Sequence, residues 1–268
     1  MQTVVISADK GIPKSQLDAL SLLTSLPLAT PNTPADFQLH ITTDKLELRK
    51  IESSQKKTKS HHKNRLSISV DFTQGKAQHR RLHGGGKGQY IAKAIGLHKI
   101  SNPDVLDLTA GMGGDSFVLA TLGANMTMLE RNPIVHALLK DALNRAKLKD
   151  DDELQKILAH MTLLKQNALD YLTALDEPNY PDVIYFDPMF PSRNKSAQVK
   201  KEMQFFHDIV GNDDDAESIL LLALEKSKKR IVVKRPRLAE KLTNKRQTAF
   251  EITGKSTRYD VYLPKKIL

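Results

Sequence analysis

The sequence predicts an α/β protein: a mostly parallel, doubly wound sheet that ends in an antiparallel hairpin, with a small α/β lobe at the N-terminus. Three observations predict it. From Pro103 onward, short apolar runs rich in β-branched residues alternate with segments of helical period. A glycine-rich turn at 111–114 joins the first of those runs to the helix after it. The last two strand-like runs, 248–252 and 259–263, are linked by so short a turn through Gly254 that they pair antiparallel.

Taken in order, residues 1–50 read as a small α/β unit, with strands at 3–7, 37–42 and 45–51 and a helix over 13–26 carrying Leu17, Leu20 and Leu23 on one face. Pro27, Pro31 and Pro34 break the chain between helix and strand. Residues 52–64 are polar, basic and without periodicity, an exposed linker. The expected division is a lobe and linker over 1–65 and a main domain over 66–268. Residues 66–72 alternate like a strand. Gly84, Gly85 and Gly86 then precede a helix over 89–95, either as a hinge or as a loop that approaches an anion. Within the main domain, strands are expected at 105–108, 124–129, 161–164, 183–186 and 230–233. Helices are expected at 116–122, 134–147, 150–160, 168–175 and 218–227.

At 268 residues the chain can bury a large core, and its hydrophobic fraction of 40% is ordinary. No apolar run approaches the ~20 residues of a membrane span. The N-terminus lacks a basic segment followed by an apolar one, so no signal peptide is expected. Cysteine is absent, which excludes disulfides, thiolate catalysis and cysteine-ligated metals and fits a cytoplasmic protein. The net charge of +10 is local. Between Lys50 and Ile100 twelve Lys/Arg face two acids, Glu52 and Asp71, whereas the rest of the chain carries 29 residues of each sign. A single-sign cluster beside a balanced domain points to a polyanion, with nucleic acid ahead of a membrane surface.

The chemistry-bearing residues gather at strand ends. The turn Asp107-Leu-Thr-Ala-Gly111-Met-Gly113-Gly114-Asp115 offers backbone N–H groups and an uncluttered surface to a ligand. Glu130 ends the next strand, placed to accept hydrogen bonds from ribose hydroxyls, as in dinucleotide and methyltransferase folds alike. A dinucleotide fingerprint G-x-G-x-x-G requires glycine where Ser116 stands, which counts against a nicotinamide cofactor. No GxxxxGK[ST] loop supports nucleotide hydrolysis. The fourth strand runs into Asp187-Pro188-Met189-Phe190, which resembles the [DNS]-P-P-[YFW] signature of methyltransferases that act on exocyclic amines of bases. Such an amine is a poor nucleophile because its lone pair is delocalised into the ring. Asp187 and the Pro188 carbonyl are the candidates to accept its two N–H groups, with Phe190 stacking on the base.

DLTAGMGGDSFVLA, MLERNP, IYFDPMFPSRNKSAQVKKEM and RIVVKRP together resemble the bacterial ribosomal RNA small subunit methyltransferase J family over residues 66–263. The resemblance implies a class I, Rossmann-like fold, S-adenosylmethionine as methyl donor and the N2 amine of a guanine in 16S ribosomal RNA, free or in the small subunit, as acceptor. It implies no metal and no membrane. It further implies that Gly114-Asp115, Glu130-Arg131, Asn167-Ala168 and Asp187 contact the cofactor; Gly111 and Gly113 of the loop and Asp107 behind it, toward the methionine portion, are expected to join them. The family commonly has Arg at position 114 and Ser-Ser at 167–168, so this chain departs at both. Arg80, Arg81, Lys87, Lys195, Lys200, Lys201, Lys234 and Arg235 are expected to form a phosphate-contacting rim. The alternatives are methylation of another nucleic-acid amine such as adenine N6, and a non-catalytic RNA-binding assembly factor.

Overall fold

Short β-branched runs become strands, and the leucine- and alanine-rich segments between them become helices. The structure, a computed structural model, describes residues 2–30, 33–51, 67–189, 209–211 and 213–264. The strands are β1 (Val4–Ala8), β2 (Phe37–Ile41), β3 (Leu46–Lys50), β4 (Ser67–Ile68), β5 (Asp104–Asp107), β6 (Asn125–Leu129), β7 (Met161–Leu164), β8 (Val183–Phe186), β9 (Arg230–Pro236), β10 (Phe250–Thr253) and β11 (Thr257–Tyr262). The helices are α1 (Lys14–Thr24), α2 (Gly75–His83), α3 (Tyr90–Ile95), α4 (Gly114–Thr121), α5 (Pro133–Lys147), α6 (Asp152–Ala159), α7 (Ala168–Ala174) and α8 (Ala216–Ala223).

These elements fall into two compact units. The first joins the N-terminal sheet, order β1-β2-β3-β4, with α5. There β1 and β2 run parallel around the crossover helix α1, and β3 returns antiparallel. Of the strand expected over 66–72, only Ser67–Ile68 pairs, and it pairs with β3. Helix α5 starts cleanly because Asn132 accepts the N–H groups of Ile134 and Val135 while Pro133 occupies the first turn. It packs on α1 and β3. Its Asp141 accepts the Leu46 N–H at 3.1 Å, and its Arg145 bonds Asp141 at 2.8 Å and the Val70 carbonyl. The helix therefore follows β6 in the chain yet belongs to the N-terminal unit.

The second unit is a seven-stranded sheet of order β10-β11-β9-β8-β5-β6-β7. The five strands from β9 to β7 are mutually parallel. β11 and β10 complete the sheet antiparallel, as the short Gly254 turn requires. The chain enters at β5, winds outward to β7, then crosses back to β8 on the other side of β5. That reversal is a topological switch point, and ligands bind outside the carboxyl ends of the strands that flank it. β8 is buried at all four residues, so both its faces are covered, and its run VIYF is correspondingly apolar. Leu106, Leu108, Ile184, Phe186, Leu220, Leu224, Ile231, Val233 and Tyr262 share one core. Truncating a side chain such as Phe186 there costs about 3–5 kcal/mol. Helix α2 is an addition to the sequence reading. Its residues GKAQHRRLH are too polar to show an apolar period, and its packing on α4 supports it. Among the described residues no helix is long and apolar enough to cross a membrane, and no cluster of His, Asp or Glu could hold a metal ion.

Candidate active site

The carboxyl ends of β5 and β8 lie side by side, with Asp107 in register with Tyr185. Gly111 and Gly113 turn the chain out of β5 in left-handed conformations, φ 53° and 72°, which a side chain would strain. Gly114, the first residue of α4, has an ordinary φ, and a Cβ built on it meets nothing within 4 Å. The loop therefore presents an open face at the switch point. Glu130, 6% exposed at the end of β6, accepts the Gly111 N–H at 3.0 Å and so ties the loop to the neighbouring strand.

Beneath the loop, Asp107 is 2% exposed. It accepts the Thr109 N–H at 3.0 Å and the Ser116 hydroxyl. Ser116 is fully buried. Its hydroxyl explains why serine stands where a dinucleotide fold needs glycine: it satisfies a buried carboxyl. Burial pushes that carboxyl up to about 7, although the Ser116 and Thr109 hydrogen bonds pull it down; the charges of Asp115 and Asp187 add to the rise.

Two further carboxylates converge on one ammonium. Lys234, from β9, donates to Asp115 and to Asp187, each at 2.7 Å. Tyr185 Oη donates to Asp115 at 2.7 Å, and Arg80 approaches it at 3.4 Å. Burial pushes the Asp115 carboxyl up, but Lys234, Tyr185 and Arg80 outweigh it and hold the group below the usual carboxylate range. Asp187 stands the other way. Burial and the neighbouring Asp115 and Asp213 charges leave it raised even with Lys234 against it. Burial pulls the Lys234 ammonium down, yet the two carboxylates raise it above its ordinary value. Tyr185 is raised well above its ordinary value by burial and by Asp115 and Asp187. The backbone N–H of Asp187 donates to Thr109 Oγ1 at 2.8 Å, joining the two strand ends directly. Among the described residues, Asp187 Oδ1 has no hydrogen-bond partner, and the side chain is 37% exposed.

The turn after Asp187 is fixed from a third direction. Asp213 accepts the Met189 N–H at 2.7 Å and is itself paired with Arg131, which also bonds Asp215 at 3.0 Å. Arg131, expected beside the cofactor, thus braces the Asp-Pro-Met turn. Asn167 caps α7, its Oδ1 accepting from Leu169 at 2.8 Å and Asp170 at 3.4 Å, and Ala168 is buried behind it.

The basic residues divide. Arg80 is 40% exposed at its side chain and Lys87 is exposed, as a rim requires. Lys234 is instead the internal partner of two carboxylates. Arg81 is 8% exposed at its side chain and donates to Asp151, the N-cap of α6, at 2.8 Å. Arg235 is buried, donates to the Glu240 carbonyl at 2.5 Å, and is pushed down by burial to about 10. These three arginines and lysines correct the rim expected from charge alone. Phe190, Lys195, Lys200 and Lys201 lie outside the described residues. Sequence reasoning missed Thr109, Tyr185 and Asp213 as members of this network, and it gave Ser116 and Lys234 other roles. A readable signal existed only for Lys234, which follows three apolar residues at the carboxyl end of a strand, where a lone charge needs a partner.

The sheet order, the glycine turn at the switch point and the acid ending β6 define an S-adenosylmethionine-dependent methyltransferase. A family model described as a putative SAM-dependent methyltransferase matches residues 21–264. Similar proteins include ribosomal RNA small subunit methyltransferase J of Cellvibrio japonicus, 52% identical over 75% of this chain and 76% of that one. The protein of the same name from Pseudomonas fluorescens is 44% identical over 95% of this chain and 92% of its own. The crystal structure of a SAM-dependent methyltransferase from Neisseria gonorrhoeae superposes with a TM-score of 0.73 at 36% identity, covering 99% of this chain and 98% of that one. The chain belongs to the ribosomal RNA small subunit methyltransferase J family.

Proposed function

We propose that this enzyme methylates the exocyclic N2 amine of a guanine in small-subunit ribosomal RNA, presented as 16S RNA or within the subunit. The observation that carries the reading is the Asp187 carboxylate. It is fixed through Oδ2 by Lys234 and through its backbone by Thr109, with Oδ1 unpartnered among the described residues. The donor set fits a cationic nucleoside cofactor. The loop has no side chain at 111, 113 or 114, Glu130 stands behind it to take ribose hydroxyls, and Asp115 and Asp187 supply negative charge.

When bound, S-adenosylmethionine supplies an electrophilic methyl group on a sulfonium. The protein's part is positioning and charge. Asp187 Oδ1 accepts one N–H of the guanine amine and the Pro188 carbonyl accepts the other, which favours pyramidal nitrogen and aims its lone pair. As positive charge develops on that nitrogen, the ionised Asp187 stabilises it and is placed to take the proton. Its raised position on the pH scale makes it a better acceptor than an exposed carboxylate. Phe190 follows directly in the chain as the base-stacking residue. A base inside a helix must leave the stack to reach this edge. A ribosomal RNA substrate also assigns the reaction to the cytoplasm.

The test is transfer of labelled methyl from S-adenosylmethionine to ribosomal RNA and to small subunits lacking their modification, followed by nucleoside analysis. N2-methylguanosine is expected. Label in N6-methyladenosine, or none with either substrate, refutes the proposal. Asp187→Ala should keep its fold by circular dichroism and lose at least a hundredfold in turnover.

A further inference from the structure

Among the described residues, seven large apolar side chains are exposed, and only two are aromatic: Tyr90 at 50% and Phe250 at 42%. Scattered leucines on a surface need no explanation. The two aromatics are not scattered. Tyr90 opens α3, which packs across β9, β10 and β11, and Phe250 opens β10 beside the other end of that helix. The placement is fixed by Arg230, which donates to the carbonyl of Ala94 near the end of α3 at 3.0 Å and sits 5.9 Å from the centre of the Phe250 ring. Lys93, one turn after Tyr90, lies 5.9 Å from the centre of the Tyr90 ring. The strip therefore reads aromatic, cation, cation, aromatic along the flank of the sheet.

One end of the strip lies at the catalytic edge. The Tyr90 ring packs on Gly254 so closely that a Cβ there would stand 3.2 Å from it. Gly254 belongs to the β10–β11 turn, whose Ser256 carbonyl accepts the Arg237 N–H at 3.0 Å, just past the end of β9. Lys234, three residues back on β9, holds Asp187. From the end of β8 to that turn is two strand spacings sideways, about 10 Å, and about three residues upward, roughly another 10 Å. Tyr90 thus stands on the order of 15 Å from Asp187, on the same edge. Exposed Lys87 and Lys255 flank it.

We propose that Tyr90 and Phe250 form a stacking platform for unpaired nucleotides of the RNA that flank the target guanine, with Lys93 and Arg230 set between them. The inference rests on the ribosomal RNA reading above. Every base has a π-face, so aromatic rings interleaved with cations grip a single strand whatever its sequence. The lysines fit a polyanion and oppose an apolar protein partner. A base that has left its helix for the active site leaves its neighbours unstacked, and the strip offers them a surface.

The test compares wild type with Tyr90→Ala, Tyr90→Phe and Phe250→Ala on unmodified small subunits. Binding of a fluorescent single-stranded 12-mer RNA is measured by anisotropy over a range of salt, and oligomeric state by sedimentation. Each alanine variant should raise KM for RNA and the Kd of the 12-mer about tenfold or more, at unchanged kcat and S-adenosylmethionine affinity. Because stacking releases no counterions, the salt slope should stay that of wild type. Tyr90→Phe should behave as wild type, which separates the ring's role from a folding defect. Unchanged KM and Kd in both alanine variants, with an active wild type, overturns the platform and leaves the function standing. A wild type inactive on ribosomal RNA removes both. A dimer that Phe250→Ala dissociates, with RNA binding intact, assigns the strip to a second copy and overturns it as well.

Discussion

Replacing Lys234 with methionine keeps the length of the side chain and removes the charge that faces Asp115 and Asp187. The ammonium lies 2.7 Å from an oxygen of each carboxylate. At that range, with an effective dielectric near 20, each attraction is on the order of 5 kcal/mol before the cost of desolvating the ammonium. Net of desolvation, breaking such a partly buried pair costs about 3 kcal/mol, less on the Asp187 side, which is 37% exposed. The neighbouring charges that then act on Asp187 are the carboxylates Asp115 and Asp213, with Asp107 and Tyr185 also close and Arg80 standing behind Asp115. Its carboxyl is already raised with Lys234 in place. An opposite charge at hydrogen-bond range holds a carboxyl down by about one to three pH units. The acid limb of the kcat profile should therefore move up by that order in Lys234→Met. Lys234→Arg should keep the limb near wild type. The assay is methyl transfer to unmodified small subunits between pH 5.5 and 9.5, with cofactor affinity measured by calorimetry at each pH. An acid limb that stays in place in Lys234→Met, with normal kcat, refutes the claim that this lysine holds Asp187 ionised.

Glu130→Gln should weaken S-adenosylmethionine about ten- to a hundredfold, since a charged acceptor is replaced by a neutral one; calorimetry showing full affinity would remove Glu130 from the ribose site. Asp107 has a folded pKa of about 7 against an ordinary 3.8, so the folded state binds more protons in that interval, and stability falls as pH rises through it. The total is on the order of 4 kcal/mol, and Asp107→Asn should flatten the dependence of the unfolding midpoint between pH 4 and 7. Lys87→Glu should weaken RNA binding and lower the salt slope by about 0.7 for the lost phosphate contact; an unchanged slope would place the phosphates elsewhere.

The fold was legible because its signals are local and repeated. Each strand of the second unit is a short apolar run, and each parallel pair is separated by a helical segment, so order and hand follow from general rules. The placing of the glycine turn, Glu130 and Asp187 at strand ends was legible because backbone geometry constrains it. Other features depend on contacts distant in sequence. Nothing in GKAQHRRLH announces a helix, because its support comes from α4. Helix α5 has a clear apolar stripe, but the stripe does not say that Asp141 ties it to β3 and Arg145 to the Val70 carbonyl. Ser116 looked like a mere departure from a glycine pattern until its hydroxyl met Asp107 across nine residues.

Charge sign was the least reliable guide, for a physical reason. A lysine at the carboxyl end of β9 can face solvent phosphate or the acids that end the adjacent strands, and composition does not distinguish the two. Lys234 faces the acids, Arg81 faces Asp151, and Arg235 is buried. Each is turned to an internal partner rather than to solvent phosphate, and removing it would leave that partner without its bond. Among the described residues the outward charge at the carboxyl edge of the sheet includes Arg80, Lys87, Lys165, Arg237 and the lysines beside Tyr90. Contacts of such groups with phosphate weaken as salt rises. Stacking on a ring does not, and among the described residues the exposed rings of Tyr90 and Phe250 offer it on this edge and flank.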